Sequence, residues 1–191
     1  GPCGSWKPHL ERAATMGFDW IFVNRVQRPG SSGSLYSIAD YFQVNPLLVD
    51  PASKQTGEQQ LQAALAAADQ LGLKAMVDLV INHCAFDSEL TRQHRDWFVR
   101  ENGELAHPFC EENGHKVVWG DLVRFDHQHT SDPEGLYRYF YKIVEYLLGL
   151  GFKGFRCDAA YQVPGSLWSR LMRDIRQKYP NTVFAAETLG C

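Results

Sequence analysis

The sequence lacks long hydrophobic runs and a strong excess of charge of either sign. No stretch approaches the roughly 18 consecutive apolar residues that a helix needs to cross a bilayer. The formal net charge is −3, and Lys and Arg form no basic patch of the kind that binds nucleic acid. Hydrophobic residues make up 45% of the 191 residues and charged residues 21%, which excludes disordered and collagen-like chains. The composition therefore predicts one globular domain whose partners are neither membranes nor nucleic acids.

Cysteine is scarce and shows no pairing pattern. The five cysteines are scattered, and none belongs to a Cys-x-x-Cys pair, unlike the cysteines of disulfide scaffolds and zinc sites. The first residues contain neither the basic nor the apolar segment of a secretory signal. We therefore expect reduced thiols in a cytoplasmic protein. The cysteines are Cys3, Cys84, Cys110, Cys157 and Cys191.

One local pattern occurs four times, and it combines an amphipathic stretch, a turn at Gly or Pro, and a short apolar run that ends in a polar residue. The apolar runs are residues 17–24, 72–78, 151–158 and 181–187. Residues 59–71 and 135–150, which precede the second and third runs, carry apolar residues at helical spacing. Near-continuous apolar strands that alternate with amphipathic helices indicate a parallel sheet covered by helices, which is the α/β class.

Two segments interrupt this alternation. Residues 25–51 contain too little apolar sequence for a long strand, but we predict a short irregular strand over residues 34–41, which would bring the number of strands to five. Residues 84–133 separate a strand from its following helix by about 50 residues, whereas such loops usually have about 2–6. This length predicts an inserted subdomain. The inserted subdomain contains four aromatic residues, Trp97, Phe98, Phe109 and Trp119. Their side chains either stack on a ligand or form the small core of the insert.

Three carboxylates stand at the ends of predicted strands. Asp78, Asp158 and Glu187 each close an apolar run. In parallel α/β sheets and barrels, active sites lie beyond the carboxyl ends of the strands. A single carboxylate at such a place is equally well explained as a turn or helix cap. Three of them at the same end of successive strands indicate a site.

The segments that contain these carboxylates resemble a known family. Residues 78–83 (Asp-Leu-Val-Ile-Asn-His), 154–160 (Gly-Phe-Arg-Cys-Asp-Ala-Ala) and 185–187 (Ala-Ala-Glu) are similar, in this order, to the first three signature regions of the α-amylase family, glycoside hydrolase family thirteen. Tyr36 and Asp40-Tyr41 resemble the family's Gly-Tyr-x-x-x-Asp-Tyr element, although Leu35 stands in place of the glycine.

The resemblance covers residues 17–191 and implies a fold. The family fold is a (β/α)8 TIM barrel with an insert after the third strand. Residues 1–83 and 134–191 would then form a partial barrel of about the first five strands, and residues 84–133 the inserted subdomain. Family members need eight strands and a His-Asp pair after the seventh, whereas this sequence stops four residues after Glu187. We therefore expect the remainder of the barrel to come from the same longer polypeptide or a second chain, and the isolated chain to be inactive.

The resemblance also implies a reaction. It makes Asp158 the nucleophile and Glu187 the general acid/base of a retaining α-glycosidase or α-glucanotransferase that acts on α-glucans or maltooligosaccharides. Retention requires two carboxyl groups about 5–5.5 Å apart. Adjacent strands, about 4.8 Å apart, can hold Asp158 and Glu187 at that separation.

Further site residues follow from the same resemblance. Arg156 lies two residues before Asp158 and hence on the same side of the strand, where it would keep Asp158 ionised; a structural pairing with Asp78 is the alternative, and both roles can coexist. His83 would hydrogen-bond sugar hydroxyls, and Tyr36 would stack on the same sugar, with ordinary structural roles as their alternatives. Asp78 and Asn82 complete the expected substrate-binding set.

Departures from the family pattern bear on metals. Many starch-degrading members have a Lys-His pair three residues after the nucleophile, and its histidine helps to bind calcium, whereas Tyr161-Gln162 stands here. Asn82 and Asp121 could offer oxygen atoms, but calcium takes about 6–8. We therefore predict no required metal and no cofactor.

Three alternative functions remain. One is a maltosyltransferase that uses maltose 1-phosphate. Another is a non-catalytic carbohydrate-binding relative. The third, a metal-dependent barrel hydrolase that uses Asp78 and His83, is disfavoured because the sequence has no His-x-His pair.

Overall fold

The computed structural model describes residues 1–34 and 36–187. Five α-helices and twelve strands lie in this part of the chain. The helices are α1 (Lys7–Thr15), α2 (Gly57–Gln70), α3 (Leu90–Gln93), α4 (Pro133–Leu150) and α5 (Gly165–Lys178). The strands are β1 (Trp20–Val23), β2 (Gln27–Pro29), β3 (Ile38–Val44), β4 (Lys74–Leu79), β5 (His83–Ala85), β6 (Arg100–Glu101), β7 (Glu104–Leu105), β8 (Phe109–Glu112), β9 (His115–Val118), β10 (Leu122–Arg124), β11 (Gly154–Cys157) and β12 (Val183–Ala186).

A parallel sheet of four strands, in the order β1-β4-β11-β12, forms the centre of the described structure. Helices connect the strands of this sheet: α2 lies between β1 and β4, α4 between β4 and β11, and α5 between β11 and β12. The predicted α/β class is therefore confirmed. The side chains of Val77, Leu79 and Phe155 are buried in one core with apolar residues of these helices. Among the described residues, no helix combines the length and the apolar character that crossing a membrane requires.

The predicted helices form close to their expected bounds. Thr56 caps α2 through a capping box, in which its side chain accepts from the Gln59 amide and the Gln59 side chain accepts from the Thr56 amide. Asp132 caps α4, and Gly151 ends it in the left-handed conformation at φ 117°. The strong start and stop signals explain why the sequence locates both helices to within two residues.

The predicted strand over residues 34–41 is wrong in its bounds and its pairing. The strand found there is β3, and it pairs antiparallel with β2 outside the parallel sheet. A parallel neighbour of β1 would require a crossover of a dozen or more residues, usually a helix, and the described residues between β1 and β3 form none. β1 pairs directly with β4 instead. The parallel sheet therefore has four strands among the described residues, where the sequence predicted five.

The long segment after β4 contains short antiparallel pairs. β10 pairs with β5, β6 with β7, and β8 with β9. Trp97 and Phe98 are only 3% exposed and belong to the main core, whereas Phe109 and Trp119 are each 38% exposed. The first two aromatic residues are therefore core residues rather than a stacking surface for a ligand.

The face of the sheet opposite the helices is open. One row of register partners crosses all four strands of the sheet, in the order Phe22, Met76, Gly154 and Val183. Side chains at these positions lie on the same face because side chains alternate along a strand. Phe22 is 49% exposed and Val183 39% exposed, so apolar side chains of both edge strands lie uncovered there.

Candidate active site

The carboxyl ends of β4, β11 and β12 bring the predicted carboxylates together. Arg156 and Asp78 are register partners on β11 and β4. The amide of Asp158 donates to the carbonyl of Leu79 (3.1 Å), and the amide of Glu187 donates to the carbonyl of Cys157 (3.1 Å). These hydrogen bonds extend the pairing by one residue beyond each strand end.

Arg156 lies among three carboxylates. Its Nη1 is 2.6 Å from Asp78 Oδ1 and 3.6 Å from Asp158 Oδ1, and its Nη2 is 3.1 Å from Glu187 Oε1. Burial lowers the pKa of Arg156, but the hydrogen bond and the charge of Asp78 outweigh burial and leave that pKa raised. The structural pairing with Asp78 and the contacts with Asp158 and Glu187 therefore coexist, as the sequence allowed.

Asp158 retains a proton more readily than the sequence suggested. Burial first, and then the charge and the hydrogen bond of Glu187, raise the pKa of Asp158 to about 7. Arg156 acts in the opposite direction but is outweighed. The expectation was that Arg156 keeps Asp158 ionised, but this guanidinium lies closer to Asp78 and Glu187 than to Asp158. Asp158 consequently keeps its proton up to about neutral pH.

The backbone after Asp158 adopts a strained conformation. Ala159 is left-handed at φ 47° and ψ 40°, which costs a residue with a Cβ roughly 1–2 kcal/mol. Its amide donates to Glu187 Oε2 at 3.0 Å. Since the acid/base candidate accepts this hydrogen bond, the strain contributes to the geometry of the site. The residue types in the sequence give no signal of this contact.

Asn82 and His83 lie where the loop after β4 meets β5. Both side chains are buried, at 2% and 6% exposure. The hydroxyl of Tyr41, which is fully buried, lies 2.7 Å from the carbonyl oxygen of Val80 and 2.9 Å from that of His83. Tyr41 thereby braces the loop, a structural role that the sequence did not assign.

Tyr36 approaches the same carboxylates. It is partly buried against the core, and burial followed by the charge of Asp78 raises its pKa, with smaller contributions from Asp158 and Glu187. All of the residues predicted for the site from its sequence motifs therefore lie at or near one edge of the sheet.

Both side chains considered as oxygen donors for a metal make hydrogen bonds, Asn82 through its nitrogen and Asp121 through its carboxylate. Asn82 Nδ2 lies 2.9 Å from Gln162 Oε1 and 3.2 Å from His83 Nδ1, and the carboxylate of Asp121 accepts from the hydroxyl of Ser32 at 2.9 Å. Within residues 1–34 and 36–187, no three His, Cys, Asp or Glu side chains are grouped so that they could hold a metal ion.

A cavity of about 740 Å³ lies apart from these residues, between the β2–β3 hairpin and α3. Arg28, Asp40 and His94 are among its lining residues, and neither Asp158 nor Glu187 is. The catalytic candidates instead lie at the carboxyl ends of β11 and β12. Cavity size therefore does not locate this site, and the convergence of charged groups does.

Comparison with known proteins shows relatives that act on glucans. Residues 1–99 match the family described as glycogen debranching enzyme, glucanotransferase domain. The α-1,4-glucan:maltose-1-phosphate maltosyltransferase of Arcanobacterium haemolyticum is 28% identical over 195 residues, which cover 93% of this chain and 27% of the relative. The corresponding enzyme of Mycobacterium tuberculosis is 27% identical and is covered to 26%. The chain thus spans about a quarter of the length of these curated relatives.

Solved structures show the same relationship. An α-amylase from Lactobacillus plantarum superposes with a TM-score of 0.81 at 28% identity, over 99% of this chain and 42% of that chain. A noncanonic maltogenic α-amylase from Thermotoga neapolitana gives a TM-score of 0.80 at 25% identity, over 98% of this chain and 43% of that chain. The match of residues 1–99 to the glucanotransferase domain of glycogen debranching enzyme, together with these structural relationships, shows that the chain belongs to the α-amylase family.

Proposed function

We propose that this chain supplies the nucleophile and the acid/base of a retaining α-glycosidase or α-glucanotransferase that acts on α-glucans or maltooligosaccharides. The observation that carries the proposal is the convergence of Asp158 and Glu187 on the Arg156 guanidinium, at the ends of adjacent strands. A retaining mechanism needs two carboxyl groups with one proton between them. The relatives named as glucanotransferase, maltosyltransferase and α-amylase support the glucan substrate.

The chemistry follows from this arrangement. Glu187 donates its proton to the glycosidic oxygen while the Asp158 carboxylate attacks the anomeric carbon, so that the bond to the leaving sugar breaks and a glycosyl ester forms. Glu187 then removes a proton from water or a sugar hydroxyl. The oxygen of that acceptor attacks the anomeric carbon and expels the carboxylate. Asp158 must lose its proton before it attacks, and the charge of the Arg156 guanidinium favours that loss.

Other residues hold the reacting groups and the substrate. Arg156, which contacts both carboxylates, limits their motion and stabilises Asp158 when it is ionised. The Ala159 amide orients Glu187. We assign His83, Asn82 and Asp78 to binding of sugar hydroxyls and Tyr36 to stacking on the sugar ring, a role that suits its position near the carboxylates.

We also propose that the sheet belongs to a (β/α)8 barrel whose remainder comes from the same longer polypeptide or a second chain. The uncovered apolar side chains of Phe22 and Val183 and the small share of each relative that is matched support this assembly. In it, residues 1–83 and 134–191 are part of the barrel, and residues 84–133 form an inserted subdomain. The buried thiols of Cys3, Cys84 and Cys157, which form no disulfide among the described residues, support a reduced, cytoplasmic setting; Cys191 lies outside the described residues.

A second candidate is transfer of a maltosyl unit from maltose 1-phosphate. The names of the curated relatives favour it. It uses the same Asp158 ester, with phosphate in place of a sugar as the leaving group.

A proton NMR time course with maltoheptaose tests both candidates. The sample is the complete protein that contains this chain, with and without inorganic phosphate. New α-anomeric signals that do not depend on phosphate support the first candidate, and an α-maltosyl phosphate product supports the second. We expect Asp158→Asn and Glu187→Gln to lower the rate by at least about 10³-fold while the protein stays folded. Initial β products, or substantial activity in either variant, would refute the retaining assignment.

A further inference from the structure

A chain of three side chains connects the loop after Asp158 to His83. Gln162 ends the short 3-10 helix Ala160–Gln162. Its Oε1 lies 2.9 Å from Asn82 Nδ2, and the same nitrogen lies 3.2 Å from His83 Nδ1. Gln162 Nε2 in turn donates to the hydroxyl of Tyr161 at 3.2 Å. Gln162 thus reaches His83 through the Asn82 amide, across 80 residues of sequence.

The side-chain amide of Asn82 determines which nitrogen of the His83 imidazole carries the proton. The nitrogen of Asn82 has two protons and no lone pair that accepts a hydrogen bond, and it uses one proton toward Gln162 and the other toward His83. Nδ1 of His83 must therefore accept, and the proton of a neutral ring stands on Nε2. The ring is neutral because burial lowers the pKa of His83 to about 4, although Asp121 and the Tyr36 backbone act in the opposite direction.

The other nitrogen of the ring is unsatisfied. Nε2 of His83 is buried and makes no hydrogen bond of normal geometry among the described residues, although the Tyr36 backbone lies near enough to the ring to raise its pKa. An unpaired buried donor is costly, and the oxygen of a bound molecule would satisfy it.

We propose that Gln162 is a positioning residue that acts through Asn82 to hold His83 in the Nε2–H form, so that His83 donates to an oxygen of the bound sugar. The inference rests on the proposed function for the identity of the ligand. The tautomer itself follows from the contacts of Gln162, Asn82 and His83. Gln162 is one of the two residues that replace the Lys-His pair of many α-amylase family members. Its contact with Asn82 suits it to this positioning role.

The opposite arrangement provides the competing outcome. If both amides were reversed, Gln162 Nε2 would donate to Asn82 Oδ1, and His83 would donate to the same oxygen through Nδ1. The proton would then be absent from Nε2, and His83 would accept rather than donate. The two arrangements therefore predict opposite tautomers at a single histidine.

Nitrogen-15 NMR of the complete protein, labelled at histidine and free of ligand, reads the tautomer directly. The spectrum of His83→Gln assigns the His83 signals. We expect the Nε2–H form in the unsubstituted protein and in Gln162→Glu, which keeps an acceptor for Asn82. We expect a mixture of tautomers in Gln162→Met, which is similar in size but has no acceptor oxygen. An Nδ1–H signal in the unsubstituted protein, or unchanged signals in Gln162→Met, would overturn the proposal.

Kinetics with maltoheptaose supply the second readout. We expect Gln162→Met to raise KM by about tenfold, the effect of one hydrogen bond to substrate, and Gln162→Glu to stay within about twofold. Equal losses in the two variants would contradict a role for the acceptor oxygen. Since the tautomer is measured without turnover, a protein that shows the Nε2–H form but cleaves no α-glucan would refute the proposed function and leave the positioning role intact.

Discussion

Burial of Asp158 makes the stability of the fold depend on pH. The pKa of Asp158 is about 7 in the folded chain, because burial and the charge of Glu187 disfavour the carboxylate, whereas an unperturbed Asp titrates near 3.9. Between these values the folded state binds more protons than the unfolded state. The free energy of unfolding therefore falls as pH rises through this window, and the full penalty is present above about pH 7.

Replacement of Asp158 by Asn should therefore stabilise the protein in a pH-dependent way. We expect the gain in the free energy of unfolding to be larger at pH 8 than at pH 5 by on the order of 2 kcal/mol, since the amide removes a carboxylate that is ionised at the higher pH. Urea denaturation at the two pH values measures the difference. Asp69→Asn, at an exposed position on α2, is the control and should change stability equally at both. A gain for Asp158→Asn that did not depend on pH would show that packing, not charge, is responsible.

At the scale of single elements, α2 begins at a well-defined capping box. Thr56 and Gln59 satisfy each other's backbone amides, and loss of such a cap costs about 1 kcal/mol. We expect Thr56→Ala to lower the free energy of unfolding by about that amount and Thr56→Ser to retain most of it, because serine keeps the accepting oxygen. Thermal or urea unfolding compares the two variants. Equal losses would mean that the methyl group of Thr56, not its hydroxyl, stabilises the start of α2.

The elements that the sequence predicted best are those with local signals. The capping residues and apolar stripes of α2 and α4 lie within or next to each helix, so the bounds of both helices follow from the sequence alone. The β2–β3 hairpin was not predicted, because a short irregular strand with few apolar residues does not reveal which strand it pairs with. Pairing depends on the connection, and the short stretch before β3 leaves no room for a crossover helix.

The site shows the same division between local and distant information. The positions of Asp78, Arg156 and Asp158 follow from strand ends and from the alternation of side chains. Two features could not be predicted from sequence. The left-handed turn at Ala159 has no signature in its residue type, and the contact of Gln162 with Asn82 joins residues 80 positions apart.

At the scale of the whole molecule, the buried His83 and the partly buried His127 shape the response to acid. Burial lowers the pKa values of His83 and His127 to about 4, whereas an exposed histidine titrates near 6.5. Below about pH 6.5 the unfolded chain takes up protons at these positions and the folded chain does not. Each histidine therefore makes the free energy of unfolding fall as pH decreases from about 6.5 toward 4, and the loss is on the order of 3 kcal/mol per histidine.

The variant His83→Gln/His127→Gln tests this contribution. We expect its free energy of unfolding to depend less on pH between 4.5 and 6.5 than that of the unsubstituted protein, because neither glutamine titrates. Urea midpoints measured across this range provide the comparison. His115→Gln, an exposed position on β9, is the matched control and should leave the slope unchanged. A double variant with the original slope would show that other groups determine the sensitivity to acid.

The pairing of Asp78 with Arg156 joins residues that lie 78 positions apart in the chain. During synthesis, the strand that carries Asp78 leaves the ribosome long before the strand that carries its partner. A carboxylate that loses water without its guanidinium incurs a large desolvation cost, so Asp78 stays hydrated through this interval. Asp78 on β4 therefore remains in water until β11 has been synthesised. The candidate site forms only when β11 pairs with β4. Order of synthesis, as well as geometry, thus determines when the site forms.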